Sequence, residues 1–165
     1  MSTSKRKTIE GRIDKAGHQL QAAKGHLESD YRSSEAIEAA QECVELSVKS
    51  ILSLLGIEYK LKHHWDWEEF VAIAKQIQQR QLLDKLTEQD VYRCSRLPRL
   101  LLLANLWGHF YLPAKYGFPG DLASAQDLFE KQEAELAVRH AEECYQAAQE
   151  LRYLERHKLS AISGK

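Results

Sequence analysis

The sequence predicts an all-α protein, an antiparallel bundle of four to five helices. Apolar residues recur with a period near 3.6 in five segments, and no stretch alternates with period two for long enough to form a strand. The 165 residues include only three prolines and eight glycines, so long helices are permitted. Short connections between the first three segments favour antiparallel neighbours.

The first two helices have the clearest apolar stripes. The first is predicted from Thr8 to Leu27, with Ile9, Ile13, Ala16, Leu20 and Ala23 on one face. The second is predicted to begin after Ser33 and Ser34, because serine is a preferred N-cap, and to end at Gly56, because glycine readily adopts the left-handed conformation that ends helices. Its stripe consists of Ile37, Ala40, Val44, Val48, Ile51 and Leu55.

The third and fourth helices follow a short loop. The third is predicted to begin near Asp66, with Trp67, Phe70, Val71, Ala74 and Ile77 facing inward. The fourth is predicted to begin at Thr87, where the sequence Thr-Glu-Gln-Asp resembles a capping box. Pro98 lies inside its apolar pattern and should kink or divide it. The segment from Leu100 to Trp107 is apolar nearly all round, which indicates burial on more than one side.

The last part of the pattern is a loop and a very long helix. The loop is predicted from Tyr111 to Gly120, and the fifth helix from Asp121 towards His157. At 1.5 Å per residue that helix would be roughly 50 Å long, so its end should project or pack on a partner. Its seam is Leu122, Ala125, Leu128, Leu136, Cys144, Ala148 and Leu151. The chain is thus divided into a helical domain, 8–157, and flexible ends, 1–7 and 158–165.

Composition bounds the class of protein. Apolar residues make up 44% and charged residues 28%, and the net charge of −1 excludes a strongly basic nucleic-acid coat. The longest apolar run, Leu100 to Ala104, is far shorter than a membrane span, and no signal peptide is evident, so we expect a cytoplasmic protein with no membrane contact. The cysteines lie inside apolar helical patterns and are expected to be reduced core residues: Cys43, Cys94 and Cys144. We expect neither a metal nor a cofactor.

Two groups of polar residues could carry chemistry. Glu45 and Lys49 form an i,i+4 pair in the favourable order, either on the surface or inserted into a groove of the bundle. The loop residues Lys60, Lys62, His63 and His64 lie beside Trp65 and Trp67. Cations with aromatic neighbours suit phosphate contact and base stacking, and one histidine could act as a general base. The alternative is a solvated loop that its tryptophans anchor to the core.

Three arginines offer a further basic surface. Arg93, Arg96 and Arg99 recur every three residues and span roughly 120° of one predicted helix face. Together with Lys115 they could form a basic patch that the near-neutral overall charge hides. A solvated helix face is the alternative.

Two stretches of the sequence, one from Ala39 to Asp66 and one from Tyr111 to Gly117, resemble the small prokaryotic HEPN-domain proteins. The first is Ala-Ala-Gln-Glu-Cys-Val-Glu-Leu-Ser-Val-Lys-Ser-Ile-Leu from Ala39, followed by Gly56 and His-His-Trp-Asp from His63. The second is Tyr-Leu-Pro-Ala-Lys-Tyr-Gly from Tyr111, similar to a loop before the last helix in one branch of the family. The order and spacing agree from about Ala23 to Leu151. Glu45, Lys49 and either His63 or His64 fall at matching places.

The resemblance implies a helical bundle that is often dimeric and is frequently paired with a minimal nucleotidyltransferase in toxin–antitoxin modules. Many members are metal-independent ribonucleases, whereas others are binding modules. The nuclease branch uses an arginine followed after four to six residues by a histidine. Arg99 and His109 are too far apart for that motif, and Arg152 with His157 fits the spacing but places the side chains about 140° apart on one helix. Lys115 stands where the branch prefers arginine.

The leading hypothesis is a HEPN-like module that binds nucleotide or RNA, as a homodimer and with a nucleotidyltransferase-like partner, in a toxin–antitoxin or defence-type system. The predicted contact residues are Glu45, Lys49, Lys60, Lys62, His63, His64, Lys115 and Tyr116. An active metal-independent ribonuclease and a purely structural interaction module remain as alternatives. The sequence leaves open whether the protein is an enzyme.

Overall fold

The fold is described from a computed structural model, which covers residues 3–29 and 32–164. The helices are α1 Thr3–Leu27, α2 Ser33–Leu54, α3 Trp67–Gln79, α4 Leu82–Glu88, α5 Tyr92–Ser95, α6 Leu97–Gly108, α7 Tyr111–Tyr116, α8 Ala125–Leu128, α9 Lys131–Tyr153 and α10 Arg156–Ser163. The only β pairing in the described residues is an isolated bridge between Phe118 and Ala123. The all-α prediction is confirmed.

The centre of the molecule is a bundle of α1, α2, α6 and α9. Ion pairs report the directions of its helices: Lys15 of α1 contacts Glu42 of α2, and Lys24 contacts Glu142 of α9. Because Arg152, later in α9, contacts Asp14, earlier in α1, these two helices run antiparallel. The predicted stripes of α1 and α2 are all buried, since each faces the other helices of the bundle.

Helix α2 has its predicted end and a different start. Gly56 has a φ of 68°, the left-handed conformation that ends the helix. At the start, Arg32 is the N-cap residue and makes no side-chain capping bond. Ser33 and Ser34 therefore lie inside the helix rather than capping it, and the Ser34 hydroxyl donates to the Glu35 carboxylate.

Helix α3 begins where it was expected, and only part of its predicted inward face is buried. Asp66 caps it, and Glu69 closes a capping box. Its fully buried residues are Ile73 and Ile77, and Phe70 packs against the core, as expected for Phe70 and Ile77. Trp67 is 77% exposed and stacks on Phe70. The expectation that Trp67 and Ala74 face inward is wrong, because the core contacts of α3 come from the stripe that contains Ile73.

The predicted fourth helix is three helices. Thr87 lies near the end of α4 rather than at a start, and its hydroxyl donates to the Leu83 carbonyl. Pro98 stands in the first turn of α6, so it divides the pattern, as predicted, where its missing N–H costs nothing. Most of the following apolar segment is buried, but Leu102 and Leu106 are exposed on one side.

The predicted loop and long fifth helix also differ. Residues 111–116 form α7, and the chain turns at Gly117, where φ is 77° and a Cβ would lie 2.5 Å from the Ala123 carbonyl oxygen. The long helix is divided into α8, α9 and α10, and the 23 residues of α9 span roughly 34 Å. Leu122 and Leu136 of its predicted seam are exposed. Among the described residues, no helix is too long for the bundle. The expectation that the end of the fifth helix projects or packs on a partner therefore loses its basis in helix length.

Helical structure extends into both segments predicted to be flexible. α1 already begins at Thr3, and α10 reaches Ser163 with Leu159 and Ile162 buried. Arg80 explains this docking, because its guanidinium donates to the carbonyl oxygens of Leu55, Gly56 and Ser163. Those carbonyls lie at the ends of α2 and α10, where helix geometry leaves them without partners.

Two smaller expectations concern cysteines and membranes. All three cysteines are buried and free, and burial raises the pKa of the Cys43 thiol to about 12. Their prediction as reduced core residues is confirmed. Within the described ranges, none of the helices combines the length and apolar character that a membrane crossing requires.

Candidate functional site

A cluster of polar side chains is gathered around Glu45 in the middle of α2. Lys49 Nζ donates to Glu45 Oε1 at 2.6 Å, and Gln41 Nε2 donates to Oε2 at 2.9 Å. His63, from the loop before α3, places its Nδ1 2.7 Å from the same Oε2. We call these four residues the α2 cluster. The i,i+4 pair predicted from the sequence therefore faces into the bundle, where it meets the histidine loop.

Burial and hydrogen bonding compete at Glu45. Lys49 is only 6% exposed, and the Glu45 side chain is largely covered. Burial alone would raise the pKa of Glu45, but the hydrogen bonds from Lys49 and His63 outweigh it and lower the pKa below its usual value. Glu45 is therefore a carboxylate at neutral pH, fixed by three donors, and it holds the His63 ring in one orientation.

Helix α7 completes a pocket over this cluster. The Tyr111 ring stacks on His63, with centroids 3.7 Å apart and an interplanar angle of 12°. The Lys115 ammonium lies 5.6 Å from the centroids of both Tyr111 and Tyr116, and 3.8 Å from a carboxylate oxygen of Glu38. The cavity of about 210 Å³ between α2, α7 and the loop is called the α2–α7 pocket; it is lined by Glu38, Gln41, Glu42, Glu45, Leu46, His63, Tyr111 and Lys115.

The position of His63 depends on the end of α6. A Cβ on Gly108 would lie 2.1 Å from the His63 carbonyl oxygen, so only glycine permits the loop to approach this closely. Next to it, the Trp65 backbone N–H donates to Asn105 Oδ1 at 2.8 Å, and the Trp65 ring is buried. The loop is thus anchored to α6 at Gly108 and Asn105, and this anchoring points His63 towards α2.

The structure separates the other predicted loop residues from the pocket. Lys60 and Lys62 each lie 2.7 Å from Glu69 of α3, and Lys62 also contacts Asp66. These four residues are called the α3 cluster. Their paired lysines lower the pKa of Glu69 to about 2. His64 turns elsewhere again and stacks on His109, with centroids 4.2 Å apart. Four of the eight predicted contact residues therefore line or lie behind the pocket, namely Glu45, Lys49, His63 and Lys115, with Tyr116 at its edge.

The arginine–histidine pairs do not converge. Arg99 is bound by Glu143, and Arg152 is bound by Asp14. His157 stands on α10 beside Glu155, beyond the break between α9 and α10. No group of three or more metal-ligating side chains occurs in the part of the chain that the structure describes.

Sequence reasoning missed several residues of the site. Glu38 carries no signal, since it is an ordinary residue of an amphipathic helix, whereas Gln41 stands in the stretch from Ala39 that carries the family resemblance. Tyr111 did carry one, because it opens the Tyr-Leu-Pro-Ala-Lys-Tyr-Gly stretch that contains Lys115. Gly108 could be found only from the close approach of the loop.

Comparison with known proteins gives one match. The family model described as the HEPN domain matches residues 9–151. No curated protein and no solved structure matches the chain. The matched range contains every residue of the α2 cluster, the α3 cluster and the α2–α7 pocket.

Proposed function

The chain belongs to the HEPN domain family, and from that premise we propose that it is a module that binds nucleotide or RNA in the α2–α7 pocket. We further propose that it acts in the cytoplasm as a homodimer, with a nucleotidyltransferase-like partner, in a toxin–antitoxin or defence-type system. The observation that carries the binding proposal is the convergence of Lys115, His63 and Tyr111 over the largely covered carboxylate of Glu45, which accepts hydrogen bonds from three donors.

The chemistry of the pocket suits a nucleotide. The exposed ammonium of Lys115 is a phosphate ligand, and the exposed ring of Tyr116 is a stacking platform for a base. His63 presents its second ring nitrogen, Nε2, away from Glu45, which leaves it able to accept a hydrogen bond from a ribose hydroxyl or, when the ring is protonated, to donate one to a phosphate oxygen. The α2 cluster behind them is the rigid support that fixes the histidine.

The test is binding of a short single-stranded RNA and of a free nucleotide by the double variant His63→Ala/Lys115→Ala. We expect at least about a fivefold loss of affinity and a flatter dependence on salt, because phosphate contacts release counterions. Lys75→Ala is the matched control, since Lys75 is an exposed lysine of α3 without a partner in the described residues. If the double variant and the parent bind with equal affinity, the proposal that the α2–α7 pocket binds RNA or nucleotide is refuted. Absence of binding by the parent would favour the interaction-module alternative.

The homodimer has a separate test. Leu102 and Leu106 are exposed four residues apart on α6, so they lie on one face of that helix. We expect sedimentation at micromolar concentration to give a mass near twice 19.0 kDa, and Leu102→Glu/Leu106→Lys to give the monomer. A parent protein that sediments as a monomer would contradict this part of the proposal.

A further inference from the structure

A second concave surface lies between α5, α6 and α9, and arginines dominate it. Arg93 comes from α5, Arg96 from the junction with α6 and Arg139 from α9. They surround a cavity of about 290 Å³ together with Glu142, Glu143 and Gln146. We call it the arginine cleft. The sequence pattern grouped Arg93 and Arg96 with Arg99 and Lys115. In the structure, Lys115 lines the α2–α7 pocket instead, and the third arginine that lines the cleft is Arg139, because α9 packs beside α5 and α6.

The cleft contains more cationic groups than carboxylates able to neutralise them. Glu143 is engaged by Arg99, whose Nε and Nη2 lie 2.9 and 3.0 Å from its two oxygens, and it also pairs with Arg96 at 3.2 Å. Glu142 turns to Lys24 of α1 at 2.9 Å. One carboxylate, Glu143, is therefore shared by two guanidinium groups, and the other serves a different helix.

The other two arginines of the cleft, Arg93 and Arg139, have a weak ion pair or none with the described residues. Glu150 accepts hydrogen bonds from the backbone N–H groups of Arg93 and Cys94, and it reaches the Arg93 guanidinium only at 4.0 Å. Arg139 is exposed and makes no ion pair with a described residue. Arg93, Arg96 and Arg139 therefore present guanidinium donors to solvent from three directions around one cavity.

We propose that the arginine cleft binds the phosphate groups of a ligand. Guanidinium forks match phosphate oxygens in bidentate geometry, and three forks around one small cavity concentrate that capacity. The lining contains no aromatic or large apolar side chain that would hold a base, so recognition there is of phosphate alone. The cleft shares no residue with the α2–α7 pocket, and the inference holds whether or not that pocket binds nucleotide.

The test follows the arginine Nε–Hε resonances of the full chain while inorganic pyrophosphate, or a short single-stranded RNA, is added. We expect saturable shifts at Arg93, Arg96 and Arg139. Shifts with RNA but not with pyrophosphate assign the phosphates to a nucleic-acid backbone, whereas shifts with pyrophosphate assign the cleft to free phosphate compounds. No shift with either probe overturns the proposal.

Two variants move the affinity in opposite directions. Arg139→Gln should weaken binding roughly fivefold, the effect of losing about 1 kcal/mol of interaction, while Lys75→Gln leaves it unchanged. Glu143→Gln should tighten binding, because Arg96 and Arg99 lose the carboxylate that competes with the ligand. If Arg139→Gln binds as the parent does, or Glu143→Gln binds more weakly, the cleft is only a surface ion-pair network. The readout is the resonances of the cleft arginines themselves, and the cleft shares no residue with the α2–α7 pocket, so failure of that pocket to bind leaves this result interpretable.

Discussion

The α2 cluster and the α3 cluster each place a glutamate against two basic side chains, yet the surroundings of those basic side chains differ. In the α2 cluster, Lys49 and Glu45 are packed among helices, and burial opposes the hydrogen bonds that lower the pKa of Glu45. In the α3 cluster, Lys60 and Lys62 are solvent-exposed, and their two hydrogen bonds outweigh burial and lower the pKa of Glu69 to about 2. The same residue types form a structural support in one place and a solvated ion-pair network in the other.

The difference shows how one loop serves two sites. Lys62 and His63 are adjacent in the chain, but Lys62 pairs with α3 and His63 pairs with α2. Charge density along the sequence is therefore a poor guide to a cationic site, because neighbouring side chains of an extended loop point in different directions. The comparison predicts that changes in the α2 cluster affect both stability and binding, whereas replacing the two exposed lysines of the α3 cluster affects both far less.

The largest expected effect is that of Lys49→Met. It removes one member of a buried pair and leaves Glu45 with only Gln41 and His63 as donors, so we expect a loss of about 3 kcal/mol in the free energy of unfolding. Urea unfolding followed by circular dichroism measures it. A loss below about 1 kcal/mol would mean that the Glu45–Lys49 pair contributes no more than an ordinary surface ion pair, and that the two clusters do not differ in their contribution to stability.

The second-largest loss in the free energy of unfolding is expected from Gly108→Ala. The new Cβ cannot coexist with the His63 carbonyl at its present position, so we expect a loss of roughly 2–3 kcal/mol, typical of overpacking, together with displacement of His63. Gly11→Ala is the matched control, because Gly11 lies in α1 with no atom within 4 Å of a Cβ there. The control should be neutral or slightly stabilising, since alanine is the better helix former. Equal effects of the two substitutions would contradict the anchoring role of Gly108.

The pH dependence of stability tests the role of Glu45 in the α2 cluster. The pKa of Glu45 is lower in the folded protein than its usual value of 4.5. Ionised Glu45 therefore contributes to the free energy of unfolding above pH 4.5, and this contribution is lost as the pH falls through the pKa of the folded state. We expect Glu45→Gln to cost about 2 kcal/mol at pH 7, the scale of hydrogen bonds to a charged group. The gap between parent and variant should narrow below pH 4.5 in urea unfolding. A gap that is constant from pH 7 to pH 3 would mean that ionisation of Glu45 contributes nothing.

The smallest effect is expected from Lys60→Ala/Lys62→Ala. Both side chains are solvent-exposed, and such pairs gain little because water already solvates the charges. The urea midpoint at pH 7 should not change measurably, and RNA affinity should fall far less than in His63→Ala/Lys115→Ala. A large loss of RNA affinity in this variant would extend the binding site onto α3.

Local pattern alone determined the all-α class, the buried stripes of α1 and α2, the stop at Gly56, the division at Pro98 and the pairing of Glu45 with Lys49. Each of these depends on residues within about four positions of one another, which is the range over which helix geometry acts. Helix α7 escaped it, because residues 111–120 were predicted to be a loop. The break between α8 and α9 also escaped it, because the apolar pattern continues through that break.

Tertiary structure decided the rest of the site. Which way Lys62, His63 and His64 turn depends on Glu69, Glu45 and His109, and the approach of their loop depends on Gly108. Arg139 joins Arg93 and Arg96 only because α9 packs beside α5 and α6. These partners lie up to 46 residues apart in the chain, counted from Arg93 to Arg139, so no local periodicity records them; the packing of the helices brings them together.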